Sequence, residues 1–384
     1  MSPTTNAPGA DEASTGARLR VLAAGMLPPP LGGQAMMFET AVQSLDGYAE
    51  VTTIDLQVQD NIGESGLLST RKLLKFANII SAIVRKAVFG KSFDVLYYCP
   101  AGPSKIGIIK DIICLAMLRP RCRRTIYHFH ATGGMKYLLG LNDSIVKLAK
   151  KTIWRPDVAI RCAEVEPNDA EICEARETRI VRNGIPDPAK LFPEGCEWTQ
   201  PEKLSLTFIG AMTEEKGIFD VVEIAHHLHQ LGLDFEVRMI GEGTEDEIAK
   251  FDALVAHHGL EGYIDRLGIK RGREKFGILR SSTFLVFPTF FRAETQPLVV
   301  IEALAMGVPA MVSDWRGLRS IVTDGETGFV YPPHDTKAMA DRIALAHASG
   351  ELPAMSCAAR KAFIERFDLS VFENAMRTIL TQSR

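Results

Sequence analysis

Short apolar runs that end in glycine and feed a loop and then a helical pattern recur along this chain, and they constrain the fold most. LRVLAAG at 19–25, LSLTFIG at 204–210 and FEVRMIG at 235–241 share this form. LRVLAAG is almost wholly apolar and reads as a strand buried on both faces, which occurs in parallel sheets covered by crossover helices, and the other two, which interleave polar residues, end in glycine in the same way. Further strands are expected at VTTIDL (51–56), DVLYYCP (94–100), RTIYHFH (124–130) and DVAIRC (157–162), with helices over 70–89 and 105–118. A proline-rich stretch at 188–203, PAKLFPEGCEWTQPEK, has no periodicity and reads as a linker. Beyond it the alternation restarts, with strands at 263–268, 283–289 and 309–314 and helices at 219–231, 245–257, 298–306 and 336–347. Two doubly wound α/β domains are therefore expected, at 19–187 and 204–362, with ligand loops at the carboxyl ends of their strands.

A chain of 384 residues has room for two such domains. Its net charge of −3 gives no basic field for nucleic acid, so any attraction to phosphate must be local. The seven cysteines include no CxxC pair, which argues against a zinc site or a disulfide framework and for a reducing cytoplasm. Residues 1–18 are small and polar without an apolar core, and read as a disordered tail rather than a signal peptide. No apolar run reaches the roughly 18–20 residues of a spanning helix.

The stretch 288–307, PTFFRAETQPLVVIEALAMG, carries the most chemistry. A strand ends at Pro288, a loop holds Glu294 and Gln296, and Pro297 is placed as the first residue of a helix containing Leu298, Val299 and Glu302. A helix start offers unpaired N–H groups and a partial positive charge, suited to a diphosphate. The two carboxylates can accept hydrogen bonds from sugar or ribose hydroxyls. In TFIGAMTEEKGIF (207–219), Gly210 and Gly217 permit close approach of a phosphate, and Lys216 can neutralise a leaving diphosphate. MIGEG adds Gly241 at another strand end, a weak signal alone. His130, at a strand end before Thr132-Gly133-Gly134, can donate to a sugar hydroxyl or phosphate.

On these residues the chain resembles glycosyltransferase family 4. The family's Glu-x7-Glu signature reads Glu294 to Glu302, followed by ALAMGVPAMVSD, and its Gly-Arg-x4-Lys-Gly pattern reads Gly210 to Gly217. The resemblance implies a GT-B fold, two Rossmann-like domains facing each other across a cleft, and a final helix, 363–384, that returns to the N-terminal domain. It implies a retaining, metal-independent hexosyltransferase with no cofactor. The donor is a UDP- or GDP-sugar and the acceptor a glycan or lipid-linked oligosaccharide, in cell-surface or exopolysaccharide synthesis. Glu294 then lies beside the donor sugar and Glu302 at the ribose. Gly268 to Lys270 follow the family's base-contacting element, Gly32-Gly33 its phosphate-facing glycine loop, and His130 its strand-end histidine. Asn183-Gly184 matches a structural turn.

Two departures stand out. Gln296-Pro297 replaces Phe-Gly, and Ala211 replaces the arginine, for which Arg182, Arg292 or Lys270 could substitute. A nucleotide-sugar 2-epimerase on the same fold and a non-catalytic nucleotide-sugar-binding protein remain alternatives. The basic amphipathic stretch with Arg71, Lys72, Lys75, Arg85, Lys86 and Lys91, together with RPRCRR at 119–124, is compatible with peripheral contact at the cytoplasmic face of a membrane.

Overall fold

The computed structural model describes residues 18–29, 32–57, 70–88, 91–165, 167–195 and 197–382. The tail expected at 1–18, apart from Arg18, lies outside these residues, as do the side chains of Arg71 and Lys72.

The first domain holds strands β1 (Leu19–Gly25), β2 (Ala49–Asp55), β3 (Phe93–Tyr98), β4 (Cys122–Phe129), β5 (Val158–Arg161) and β6 (Thr178–Ile180). They form one parallel sheet in the order β2-β1-β3-β4-β5-β6. Its helices are α1 (Gly33–Gln43), α2 (Thr70–Ile83), α3 (Lys105–Leu118), α4 (Gly134–Leu139), α5 (Asp143–Thr152) and α6 (Asp169–Ile172). The inner strands β1, β3, β4 and β5 are buried over most of their length, as in a parallel sheet covered by helices, while the edge strands β2 and β6 stay largely half-buried or exposed. Leu22, Leu96 and Tyr127 face a core under α3, while Val21, Tyr97 and Ile126 face one under α1.

The second domain repeats the plan with β7 (Leu204–Ile209), β8 (Phe235–Ile240), β9 (Ile264–Gly268), β10 (Phe284–Phe287), β11 (Ala310–Ser313) and β12 (Gly328–Tyr331). Their parallel order is β12-β11-β10-β7-β8-β9. The helices are α7 (Ile218–Gln230), α8 (Glu245–His257), α9 (Gly272–Arg280), α10 (Leu298–Ala305), α11 (Thr336–Ser349) and α12 (Leu352–Arg366). This is the doubly wound order in which the chain reverses direction between its first and fourth strands, here β7 and β10. The crevice above that pair is therefore the place for a ligand.

β6, β12, α4, α5, α6, α9 and α12 are additions to the expected elements. β6 spans only three residues, too short for a periodic signal. α9 carries Gly272 and Gly277 within a charged run, which hides its helical pattern.

The last helix, α13 (Leu369–Thr381), packs against α1. The return begins later than the expected 363, because Phe363 and Phe367 still belong to the second core, whereas Phe372, Met376 and Leu380 fill the first. The switch occurs at Asp368, where Ile185 N–H donates to the Phe367 carbonyl (3.0 Å) and Leu369 N–H to the Ile185 carbonyl (2.9 Å). Arg360 forks onto Asp187 through two hydrogen bonds of 2.8 and 2.6 Å, fixing the linker to α12.

Gly184 lets α13 approach the linker closely. A Cβ there would lie 2.6 Å from the Phe372 Cβ and 3.0 Å from the Asp368 carbonyl oxygen. Gly184→Ala is expected to lower stability to chemical denaturation by about 1–3 kcal/mol, as overpacking does. Gly262→Ala, where a Cβ meets nothing within 4 Å, serves as the near-neutral control.

Candidate active site

Strand β7 ends at Ile209, and the loop after it closes in a single 3-10 turn, Glu214–Lys216, capped by Gly217. Gly217 has φ +84, and a Cβ on it would stand 2.4 Å from the Pro288 carbonyl oxygen, so the β7 and β10 loops meet here only because the residue is glycine. Gly241 has the same role against Gly210, whose carbonyl oxygen would be 1.8 Å from a Cβ. The Phe290 N–H and the Thr289 hydroxyl both donate to the Glu215 carbonyl, at 2.9 and 3.2 Å. The two loops flanking the switch point are thereby one unit.

Lys216 and Glu294 meet inside this unit. The lysine Nζ is 2.5 Å from Glu294 Oε2, which also accepts from the Thr289 hydroxyl at 3.3 Å. Glu294 is buried, and the ammonium lies 4.8 Å from the centroid of the Phe291 ring. The α10 helix starts directly beyond. Its cap is Pro297 with φ −66 and ψ 124, so the expected first helical residue is the cap and Leu298 opens the helix. Leu298 and Val299 present the unpaired N–H groups that every helix start leaves.

Glu302, in the second turn of α10, is also buried. Its Oε1 accepts from Lys275 Nζ at 2.6 Å. Burial raises the pKa of this carboxyl, and the charge of Lys275 opposes that rise. Lys275 stands on α9 and does not figure among the expected site residues. In RGREKFG it looks like one charge of a solvated run, and only the fold separates it from its neighbours.

The loop between the two glutamates also faces the first domain. Thr295 and Thr132 share a hydroxyl–hydroxyl hydrogen bond of 2.9 Å. The Gln296 side-chain oxygen accepts from Asn183 N–H at 2.5 Å, the Asn183 amide donates to the Gln296 carbonyl at 3.1 Å, and the Gln296 amide donates to Ser320 at 3.3 Å. Gln296 is thus engaged in an interdomain clasp, and Asn183 is its partner. Leu298 packs into the first domain's core, and a Cβ on Gly33 would be 3.7 Å from its side chain. Gly32, the N-cap of α1, lies at the same edge.

His130 ends β4 on the first-domain side. Burial lowers its pKa to about 3, so the ring is neutral. Its Nδ1 lies 3.6 Å from the Cys162 sulfur, and its Nε2 is covered and has no hydrogen-bond partner among the described residues. His128, also held neutral by burial, pairs its Nδ1 with the Tyr97 hydroxyl at 2.8 Å. His128, His130 and Cys162 form the one group of described residues close enough to share an ion; the thiol is satisfied by donating to the Phe129 carbonyl at 3.4 Å. The Gly133 and Met135 N–H groups donate to Asp169 at 2.7 and 2.9 Å, so this turn is organised internally. A recess beside it is lined by Phe129, Thr132, Cys162 and, from the Glu294 loop, Thr295.

The remaining expected residues lie further along the same crevice. Gly268 follows Gly241 across the sheet, its carbonyl accepting from Gly241 N–H at 3.1 Å. Lys270 is turned onto Glu274 at 2.6 Å. Arg182 and Arg292 are exposed, and Ala211 leaves the β7 loop without a second cation.

Residues 203–348, essentially the second domain, match the family model for Glycosyl transferases group 1. A putative colanic acid biosynthesis glycosyltransferase, WcaL of Escherichia coli K12, is 24% identical over 176 residues, covering 45% of this chain and 42% of that protein. The chain thus spans well under half the length of that relative. The phosphatidyl-myo-inositol mannosyltransferase of Mycobacterium leprae is 27% identical over 305 residues, 78% of this chain and 76% of that protein. The solved structure of HepE from Anabaena in complex with UDP-glucose superposes with a TM-score of 0.69 at 15% identity, covering 95% of this chain and all (100%) of the other, a likeness of fold. The two facing Rossmann-like domains are the GT-B architecture.

The Lys216–Glu294 pair carries a stability prediction. Lys216→Met leaves a buried carboxylate without its counter-charge and is expected to cost about 3 kcal/mol. The double variant Lys216→Met, Glu294→Gln removes both charges and is expected to recover most of that loss in urea unfolding.

Proposed function

We propose that this GT-B chain, whose second domain is of the group 1 glycosyl transferase type, is a retaining hexosyltransferase. It moves a sugar from a UDP- or GDP-sugar to a hydroxyl of a glycan or lipid-linked oligosaccharide in polysaccharide synthesis. The observation that carries this reading is the Lys216–Glu294 pair, set at the switch point of the second sheet beside the open N-terminus of α10.

A nucleoside diphosphate laid over that switch point places its phosphates against Lys216 and the N–H groups of Leu298 and Val299. These groups stabilise negative charge without a metal ion. Lys216 is then drawn from Glu294 towards the phosphate, which frees the carboxylate for the hydroxyls of the donor sugar. Glu302 faces the ribose, and the Gly268–Lys270 segment the base. His130, neutral across the physiological range, acts on a ligand as a neutral hydrogen-bonding group and not as a cation, once its covered Nε2 is opened to the cleft.

In the transfer step the anomeric carbon–oxygen bond to the phosphate breaks, and a bond to the acceptor oxygen forms on the same face. The acceptor proton passes to a phosphate oxygen. Lys216 and the α10 N–H groups offset the charge that develops on the leaving diphosphate. The UDP-glucose in the HepE complex supports a nucleotide-sugar donor, and the polysaccharide role named for WcaL supports a glycan acceptor.

Turnover against a panel of UDP-, GDP- and ADP-sugars with glycan and lipid-linked acceptors tests this reading. Lys216→Ala and Glu294→Ala are each expected to reduce kcat by about 100- to 1,000-fold. Unchanged turnover in both would place the chemistry elsewhere.

The same reading includes peripheral contact with a membrane. On the face of the first domain opposite α1, the packed helices α2 to α5 expose Leu74, Ile109, Tyr137, Leu139 and Leu148, among Lys105, Lys136, Lys147, Lys150 and Lys151. No described helix is long and apolar enough to cross a bilayer. Apolar side chains ringed by lysines suit an anionic lipid surface. Co-sedimentation with phosphatidylglycerol vesicles is expected to drop about tenfold when Leu139 and Leu148 are both replaced by Glu. Equal sedimentation of both proteins would remove the membrane contact.

A further inference from the structure

Glu302 presents its two carboxylate oxygens very differently. Oε1 is held by Lys275 Nζ at 2.6 Å, while Oε2 has no accessible surface and no hydrogen-bond partner among the described residues. An ionised oxygen left unpaired in the protein interior is costly, and persists where a ligand completes it. Glu302 keeps about a tenth (11%) of its side-chain surface open, none of it on Oε2, so a hydroxyl reaches that oxygen with a shift of the carboxylate or of its cover.

We propose that Lys275 is a positioning residue for nucleotide recognition: it anchors Glu302 Oε1, so that Oε2 is left as the single aimed acceptor for one ribose hydroxyl of a nucleoside diphosphate. This rests on the nucleotide-sugar reading of the cleft. The other charged groups on the elements packed against α10 are committed elsewhere. Arg360 on α12 binds Asp187, Arg273 on α9 binds Glu194, Glu274 binds Lys270, and Arg280 donates to the Gly195 carbonyl. Lys190, on the linker turn, is exposed. Glu294, in the loop that leads into α10, is held by Lys216. Lys275 is therefore the cation that opposes the rise that burial imposes on the Glu302 carboxyl. A protonated carboxyl is a weaker acceptor and loses the charge-assisted bond to the hydroxyl.

The sign of the pH effect follows. Without Lys275, burial alone acts on Glu302, its pKa rises, and protonation intrudes from the acid side. Nucleotide affinity then falls as the pH is lowered and recovers as it is raised. In the wild type the charge of Lys275 opposes that rise, so the change over the same window is smaller, and the titration of the ligand's own terminal phosphate is common to both proteins.

The test is calorimetric titration of the full chain with UDP, GDP and ADP from pH 6 to 8, followed by the 2′-deoxy and 3′-deoxy forms of whichever binds. The wild type is expected to bind one of them and to lose about tenfold for one of the deoxy forms. Lys275→Met is expected to weaken binding about tenfold relative to the wild type at pH 6, less at pH 8, and to lose discrimination against that deoxy form. Lys275→Arg restores the wild-type profile. Glu302→Gln, which has no charge to titrate, loses the discrimination without gaining pH dependence beyond that of the wild type, and it serves as a second probe if Lys275→Met folds poorly. A Lys275→Met protein, or failing that a Glu302→Gln protein, that keeps the deoxy penalty and the wild-type profile overturns the role of Lys275. Absence of binding of all three nucleotides to the wild type removes the nucleotide reading, and this role with it.

Discussion

Two buried carboxylates on one strand–loop–helix unit must each find a cation, and the architecture of the second domain follows from meeting that demand. Glu294 takes Lys216 from the loop after β7, and Glu302 takes Lys275 from α9. Neither lysine is near its partner in sequence, so each pair ties a separate element to the β10–α10 segment. Gly217 allows the β7 and β10 loops to close to the distance that the first pair requires. Charges paired in this way add little net stability against an apolar alternative, and their loss one at a time is expensive. Their position at a switch point makes the unit a candidate ligand site.

The same segment is the joint between the domains. Thr295, Gln296 and Leu298 contact Thr132, Asn183 and the glycine loop of the first domain, while Glu294 and Glu302 face into the second. A ligand that shifts the loop to reach Lys216 must also act on the clasp. Under the proposed reading, binding in the second domain acts through this clasp on the placement of the first. The Gln296-Pro297 dipeptide, a departure within the family motif, has a structural reason here. The glutamine amide bridges the domains, and the proline fixes the backbone at the helix cap.

Most of the strands are legible in the sequence because burial on both faces turns them into apolar runs, and LRVLAAG, DVLYYCP and LSLTFIG each coincide with one. The boundary at α13 is less legible. Phe363 and Phe367 share the apolar spacing of Phe372 and Met376 while serving a different core. At the site, Glu294, Glu302 and Lys216 stand out because their spacing from strand ends is set by local backbone geometry. Lys275 does not, because its meaning comes from a contact across 27 residues between two helices. The neutrality of His130 is likewise a product of packing, with no counterpart in the residues beside it.

A crystal structure of the chain with a bound nucleoside diphosphate tests the central claim most directly. The account predicts the diphosphate between Lys216 Nζ and the N–H groups of Leu298 and Val299, with Lys216 moved beyond hydrogen-bonding distance of Glu294. A nucleotide seated elsewhere, with the 2.5 Å Lys216–Glu294 contact intact, would contradict it.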